Sequence, residues 1–248
     1  MEFPKPRVVF QSQTMMETIK KIAKQIEDLQ NFEKISLAFS QYDWDAGQIF
    51  SMSPGDRFTY IGKIIGKIYD QEQAELYDKT IVYQKMWDKI SAKLYDTLEK
   101  LFEFKFEGEA FIVANLSPSP IVCYDEKANC FDACYKRDVN TNIFDWIVMF
   151  IKILWQKKLA EVLRVLGYAR NPQVDAIMER YLIHFAFTTT DISKCVSKPL
   201  NVLPDSYEKV IADGIKLYPH LKKQLKSGVF KFIQNAYELI AINLNLFE

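Results

Sequence analysis

The chain has 248 residues, 49% of them hydrophobic and 14% aromatic. It can therefore bury a core without disulfides or metals, and it is too apolar to be disordered. Its 32 basic and 32 acidic side chains cancel, which leaves no net field to attract nucleic acid or an anionic membrane. Only 8 Gly and 9 Pro are present, which disfavours a loop-rich all-β fold and favours long helices.

The first hundred residues are predicted to be mainly helical. A T-x-x-E capping box at Thr14 begins a helix whose apolar spacing continues to about Asn31. Apolar and polar residues alternate with a period of two over Ile35–Phe39, which predicts a short strand. Apolar periodicity and turn residues then predict one loop and two helices, over 41–55, 60–68 and 76–101.

From residue 109 onward the predicted elements change from strands to helices. Glu109–Leu116 is rich in β-branched and aromatic residues and predicts a strand, which Ser117–Pro120 interrupts. A second strand is predicted near Cys130–Tyr135. A hydrophobic helix is expected over 142–166, and Pro172 stands in the first turn of the next. Two further helices are predicted over 205–215 and 219–242.

These elements predict a predominantly helical α+β protein with a small mixed sheet packed against long helices. No convincing linker or internal repeat is present, so a single compact domain over 1–248 is expected. It would consist of a mainly helical part, 1–104, and a second part, 105–248.

No targeting segment or membrane span is predicted. An early acid and two prolines mark the N-terminus, and no signal-like apolar run follows. The most hydrophobic stretch, Ile143–Trp155, is interrupted by Asp145 and Lys152. It is shorter than the roughly 20 residues that a span needs, so a buried core helix is predicted. The default location is the cytoplasm.

Neither the cysteines nor the histidines form a familiar metal or catalytic motif. The spacing C-x6-C-x3-C is neither a standard zinc spacing nor a redox spacing, and reduced thiols packed as small apolar groups are expected. Two histidines are too few for a His-rich metal site. No cofactor or metal is therefore predicted. The cysteines and histidines are Cys123, Cys130, Cys134, Cys195, His184 and His220.

The order of elements after Phe111 resembles that of zincin-like metallopeptidases of the HExxH type. In such relatives the hydrophobic helix carries I-H-E-I-L-H, the next helix supplies a Glu ligand, and a D-x-G-Y-P-x-H segment follows. Here the helix reads FIKILW over 150–155, and the late segment contains Asp213 and Tyr218-Pro219-His220. The resemblance covers about half of the chain and implies a zincin-like C-terminal half.

The residues that define the zinc motif are absent from this chain. The resemblance places Ile151, Lys152 and Trp155 where His, Glu and His would stand, and Glu179 at the third-ligand position. Neither an aliphatic group nor an indole offers a lone pair to zinc. The resemblance therefore implies a pseudo-enzyme, in which Lys152 replaces the metal and pairs with Glu179. Trp155 and Tyr181 would be aromatic anchors for a peptide or protein partner.

Other interpretations remain open at the level of sequence. Ile151, Trp155 and Leu159 also fit the core stripe of a hydrophobic helix, with Lys152 extended toward water. The chain would then be a helical module that self-associates through Ile143–Trp155. An enzyme of unrecognised type, using a Cys, His184 or a carboxylate pair, is a third reading. Nucleic-acid binding is a fourth, carried by the lysines that otherwise form a solvated helix face: Lys216, Lys222, Lys223, Lys226 and Lys231.

Overall fold

The computed structural model describes residues 3–125, 129–195 and 223–243. It is predominantly helical with a small mixed sheet, which confirms the predicted α+β class. The strands are β1 (Phe3–Ser12), β2 (Phe106–Ser117), β3 (Cys123–Asp125) and β4 (Cys130–Cys134). The helices are α1 (Met15–Gln25), α2 (Leu29–Phe39), α3 (Ala46–Ser51), α4 (Pro54–Phe102), α5 (Val139–Leu166), α6 (Pro172–Thr189) and α7 (Val229–Asn243). Short 3₁₀ turns span Ser40–Tyr42 and Asp191–Lys194.

The chain divides into two compact units. The sheet unit comprises Pro6–Lys89 and Glu109–Asp145, and the helical unit comprises Met1–Lys5, Ile90–Gly108 and Trp146–Glu248. The single domain with parts at 1–104 and 105–248 stays a prediction.

The sheet has the strand order β1-β2-β4-β3. β2 and β4 run parallel with Asn115 opposite Asp132, whereas β3 and β4 run antiparallel with Cys123 opposite Asp132. Because facing residues of paired strands point to the same side of a sheet, these three side chains form a polar row on one face. The alternate residues, such as Ala114 and Phe131, are buried on the other face.

The edge strand β1 is protected along its outer side. Gln13 donates its backbone N–H to β2, so the amides of even-numbered residues in β1 point outward. Pro6 has no N–H to expose there. The Gln84 side chain satisfies two further groups, because its Oε1 accepts from Phe10 N at 3.1 Å and its Nε2 donates to Val8 O at 3.3 Å. This edge of β1 therefore offers few unpaired backbone N–H and C=O groups to another strand.

The predicted strand at Ile35–Phe39 is wrong, because these residues belong to α2. Asp28 caps this helix, its side chain accepting from Asn31 N at 2.9 Å. Ile35 and Phe39 are buried, but Leu37 between them is 80% exposed. The apolar residues therefore follow the helical period rather than the period of two.

The loop predicted over 41–55 is wrong in part, because Asp45 caps the short helix α3 and α4 already begins at Pro54. The remaining differences in the N-terminal half concern helix boundaries. The capping box at Thr14 is present, but α1 ends at Gln25 instead of Asn31 because Asp28 starts a new helix. The helices predicted over 60–68 and 76–101 form one continuous helix, α4, of 49 residues. The polar turn between the two predicted helices remains helical because it contains neither Gly nor Pro.

In the second half, the predicted strands correspond to β2 and β4, and the predicted helices at 142–166 and after Asn171 correspond to α5 and α6. The helix predicted over 219–242 is instead interrupted before α7. Gly228 has a φ of +108°, and a Cβ there would lie 2.3 Å from the carboxyl carbon of Glu103. That carboxylate accepts from Phe230 N at 3.0 Å in the first turn of α7. The helix predicted over 205–215 lies outside the described residues.

Among the residues that the structure describes, no helix combines the length and the apolar character that crossing a membrane requires.

Candidate functional site

The candidate site lies between α5 and α6 in the helical unit. Gly167 follows α5 with a φ of +73°, a conformation that favours glycine. Asn171 caps α6, its side-chain oxygen accepting from Gln173 N at 3.0 Å and Val174 N at 3.3 Å. Pro172 occupies the first turn of α6, where its missing N–H leaves no bond unmade.

One stripe of α5 belongs to the core. Ile151, Trp155 and Leu159 are all fully buried, and the Trp155 ring lies 6.2 Å from that of Phe232. Tyr181 on α6 is only 3% exposed. These positions match the core-stripe interpretation. In this structure neither Trp155 nor Tyr181 offers its ring to a partner as the anchors of the sequence-based hypothesis would.

The predicted pairing of Lys152 with Glu179 is present. Lys152 Nζ lies 3.2 Å from Glu179 Oε1, and Gln156 Nε2 donates to Glu179 Oε2 at 3.1 Å. Both oxygens of this carboxylate are thus engaged by side chains from one helix. The Glu179 side chain is 16% exposed and that of Lys152 is 43% exposed. The carboxylate lies mostly below the surface, and the ammonium is partly in water.

The polar network continues to the start of α6. Arg170 donates from Nη2 to Gln156 Oε1 and from Nε to Asp175 Oδ2, the latter at 2.5 Å. Asp175 is 5% exposed and also accepts from the Tyr237 hydroxyl at 3.3 Å. Burial raises the pKa of Tyr237 above its ordinary value. The tyrosine therefore stays neutral and donates to Asp175.

The pair on α5 that faces Glu179 is shifted by one residue from the pair that the resemblance implies. The resemblance assigns the ligand positions to Ile151 and Trp155, whereas Lys152 and Gln156 make the contacts. Both pairs have the i, i+4 relation, but adjacent residues on a helix point about 100° apart. Ile151 and Trp155 consequently point into the core.

The other sequence-based candidates do not join this site. The apolar side chains of Ile143–Trp155, which were expected to pack against a second copy, are mostly buried within the chain. His184 is half-buried on α6. Three of the five clustered lysines, Lys223, Lys226 and Lys231, are exposed. Lys216, Lys222, His220 and the segment 213–220 lie outside the described residues.

A second polar cluster, in the sheet unit, was not predicted. Lys21 from α1 places its Nζ 2.8 Å from Asp132 Oδ1, and the two side chains are 13% and 8% exposed. Asp132 also accepts from Asn115 Nδ2 and Cys123 Sγ, both at 3.3 Å. Asn115 in turn accepts from Gln11 Nε2 at 3.0 Å. A buried ion pair therefore stands over the polar row of the sheet.

The four cysteines are unpaired thiols, of which Cys134 and Cys195 are buried and the other two are half-buried. Burial, reinforced by the negative charge of Asp132, raises the pKa of Cys123 to about 12. Burial also raises the pKa of Cys130, Cys134 and Cys195. This agrees with thiols packed as small apolar groups and gives no support to a thiol nucleophile.

We expect all four thiols to react with iodoacetamide at pH 8 at least about tenfold more slowly than free cysteine, because little thiolate forms. Mass spectrometry of tryptic peptides after timed labelling measures each rate, and labelling in urea provides the fully exposed control. A thiol in the folded protein that reacts as fast as free cysteine would contradict this and favour the enzyme interpretation.

Among residues 3–125, 129–195 and 223–243, no three His, Cys, Asp or Glu side chains are placed to hold one metal ion. Lys152 and Gln156 present donor hydrogens, not lone pairs, to Glu179. The arrangement therefore stabilises a carboxylate. No family model, curated protein or solved structure matches this chain.

Proposed function

We propose that this chain is a non-catalytic, zincin-like protein that acts by binding a peptide or protein partner. One observation carries the proposal: an i, i+4 pair on α5 converges on a glutamate of the next helix, and this pair contains an ammonium. Two ligands on one helix and a Glu on the next form the frame of a zincin site, and here the facing pair is displaced by one residue from Ile151 and Trp155, to which the resemblance assigns the ligands. Here Lys152 Nζ lies against the carboxylate that a metal would require.

The chemistry of the donors supports a binding role over hydrolysis. A zinc hydrolase needs three lone-pair ligands, an open position for water and a base to activate that water. Lys152 carries a positive charge that repels a cation. Gln156 donates its amide N–H to Glu179, so this side chain presents a donor and not a metal ligand there. Each carboxylate oxygen of Glu179 already has one of these two side chains as its partner. Catalysis would require this network to be dismantled.

The exposed apolar side chains support a partner-binding role. Ten of the large hydrophobic residues that are exposed in the described part of the chain belong to the sheet unit. They are Val9, Met15, Met16, Leu29, Leu37, Phe50, Tyr77, Ile81, Val82 and Phe111. Of these, Tyr77 and Ile81 share one face of α4, and neighbouring exposed apolar side chains of this kind are used in interaction surfaces. The proposal also places the protein in the cytoplasm, where its four unpaired cysteines would stay reduced.

Metal content and peptidase activity test the absence of catalysis directly. We expect untagged protein purified without chelator to contain far less than one zinc per chain and to leave fluorogenic peptide libraries intact with or without added zinc. A matched Glu179→Gln variant serves as the control, because it removes the carboxylate and keeps its shape. Stoichiometric zinc together with cleavage that a chelator abolishes, and that Glu179→Gln lacks, would overturn the proposal.

Zinc content measured on variants with two introduced histidines tests the zincin-like frame. The double variant Lys152→His with Gln156→His is expected to bind one zinc together with Glu179, since those two positions face it. The matched double variant Ile151→His with Trp155→His is expected to bind none and to fold poorly, because both positions are buried. Zinc binding by the second pair but not the first would contradict the frame described here.

A further inference from the structure

The two ion pairs of the α5–α6 site expose their cations and bury their anions. The Lys152 side chain is 43% exposed, whereas that of its partner Glu179 is 16% exposed. The Arg170 side chain is 51% exposed, whereas that of its partner Asp175 is 6% exposed. Because burial is so unequal within each pair, the ammonium and the guanidinium reach water while the carboxylates lie beneath them. The outer surface of the site is therefore positive, although each pair is neutral as a whole.

Both cations keep N–H groups that no described residue uses. Arg170 donates from Nε to Asp175 and from Nη2 to Gln156 Oε1, so two of the five N–H groups of its guanidinium are engaged. Lys152 Nζ contacts Glu179 Oε1 and carries two further hydrogens. Gln156 lies between the two cations, because its Nε2 donates to Glu179 and its Oε1 accepts from Arg170. Lys152, Gln156 and Arg170 thus form one row, which we call the cationic row.

The charges of the surrounding helices are also unequal in number. Residues 146–190 contain six Lys and Arg against three Asp and Glu. The two acids of the site and the third acid, Glu161, all have basic partners, since Glu161 Oε2 lies 3.7 Å from Lys158 Nζ. Arg180 on α6 is half-buried and forms no ion pair with any described residue. The charge that is left over on these two helices is therefore positive.

We propose that the cationic row binds an acidic segment of a peptide or protein partner, with one carboxylate on Lys152 and a second on Arg170. This inference names the chemistry of the partner in the function proposed above, and it rests on that function. Ammonium and guanidinium groups bind carboxylates through charge-assisted hydrogen bonds, which are stronger than those between neutral groups. Gln156 separates the two cations, so two acidic side chains of the segment can each contact one of them.

Charge complementarity selects an acidic segment over other occupants. A basic segment would place like charges against the exposed ammonium and guanidinium. A purely apolar segment would remove their free N–H groups from water without offering an acceptor. Nucleic acid is held by many phosphate contacts along a basic groove, whereas the cationic row has only two cations and the chain as a whole has no net charge.

Fluorescence anisotropy with the full chain tests the preference for acidic segments. The probe is a short fluorescein-labelled peptide of alternating Glu and Ala, and the matched peptides carry Gln or Lys in place of Glu. We expect the Glu peptide to bind at least about tenfold more tightly than the Gln peptide, because two charged contacts are lost in the latter. The Lys peptide is expected to bind more weakly still.

A variant of the cationic row locates the binding site. Lys152→Gln is expected to weaken binding of the Glu peptide at least about threefold, because one of the two charged contacts is removed. Lys67→Gln is the matched control, since it removes the same charge from an exposed side chain of the sheet unit and should leave the affinity unchanged. Circular dichroism checks that both variants fold.

The possible results separate this inference from the proposed function. Equal affinity for the Glu and Gln peptides would overturn the inference, as would equal effects of Lys152→Gln and Lys67→Gln. Displacement of the Glu peptide by an equal concentration of inorganic phosphate would also overturn it, because the row would then be a general anion site. A Gln or Lys peptide that binds most tightly and loses affinity in Lys152→Gln would overturn the acidic preference but not the binding role. Zinc-dependent cleavage of any of these peptides would overturn the proposed function itself.

Discussion

Replacing Trp155 by Ala is expected to lower the free energy of unfolding by about 3–5 kcal/mol. The indole is fully buried and packs near the Phe232 ring, and truncation leaves a cavity that the surrounding helices cannot fill. If Trp155 instead lined an open former zinc site, its removal would cost little. Urea unfolding followed by circular dichroism measures the difference.

Lys152→Ala is the matched control on the same helix, three residues away. The Lys152 side chain is 43% exposed, so solvent screens its pair with Glu179, and we expect a loss below about 1 kcal/mol. Gln156 still donates to Glu179 in this variant. Equal losses for the two variants would contradict the assignment of Trp155 to the core and Lys152 to the surface.

Elements with strong local signals could be predicted from the sequence. The capping box at Thr14, the Asn171-Pro172 start of α6 and the β-branched run of β2 each contain their own signal within a few residues. Because such signals are local, tertiary packing does not need to be known in order to interpret them.

The errors occurred where two periods fit the same residues. Ile35 and Phe39 are separated by four positions, a spacing that a strand face and a helix face share. Only the exposure of Leu37, which packing decides, distinguishes the two. The polar middle of α4 was likewise interpreted as a break, although a solvent-facing turn of a long helix needs no apolar residue.

The candidate site was predictable only in part. The pairing of Lys152 with Glu179 followed from the resemblance, but the contact of Gln156 depends on the rotation of α5 about its axis. The ion pair between Lys21 and Asp132 joins residues that are distant in the sequence. Neither residue stands in a motif, so only tertiary packing, which sets Lys21 of α1 beside Asp132 of β4, brings them together.

Replacing Lys21 by Met is expected to lower the free energy of unfolding by about 3–5 kcal/mol. The substitution keeps the apolar stem but leaves Asp132, which is 8% exposed, without its cation. Hydrogen bonds from Asn115 and Cys123 remain but carry no opposite charge. The loss is therefore the cost of an uncompensated buried carboxylate, and urea unfolding at pH 7 measures it.

A double-mutant cycle separates this cost from any loss of packing. Lys21→Met combined with Asp132→Asn removes both charges and is expected to recover much of the stability that Lys21→Met loses, because a neutral amide can be buried with its hydrogen bonds. Lys67→Met is the exposed control, since Lys67 and Asp43 form a pair whose side chains are 57% and 84% exposed. Its expected loss is below about 1 kcal/mol. If Lys21→Met cost no more than Lys67→Met, the ion pair would not be a buried element of the sheet unit, and water would have to reach Asp132.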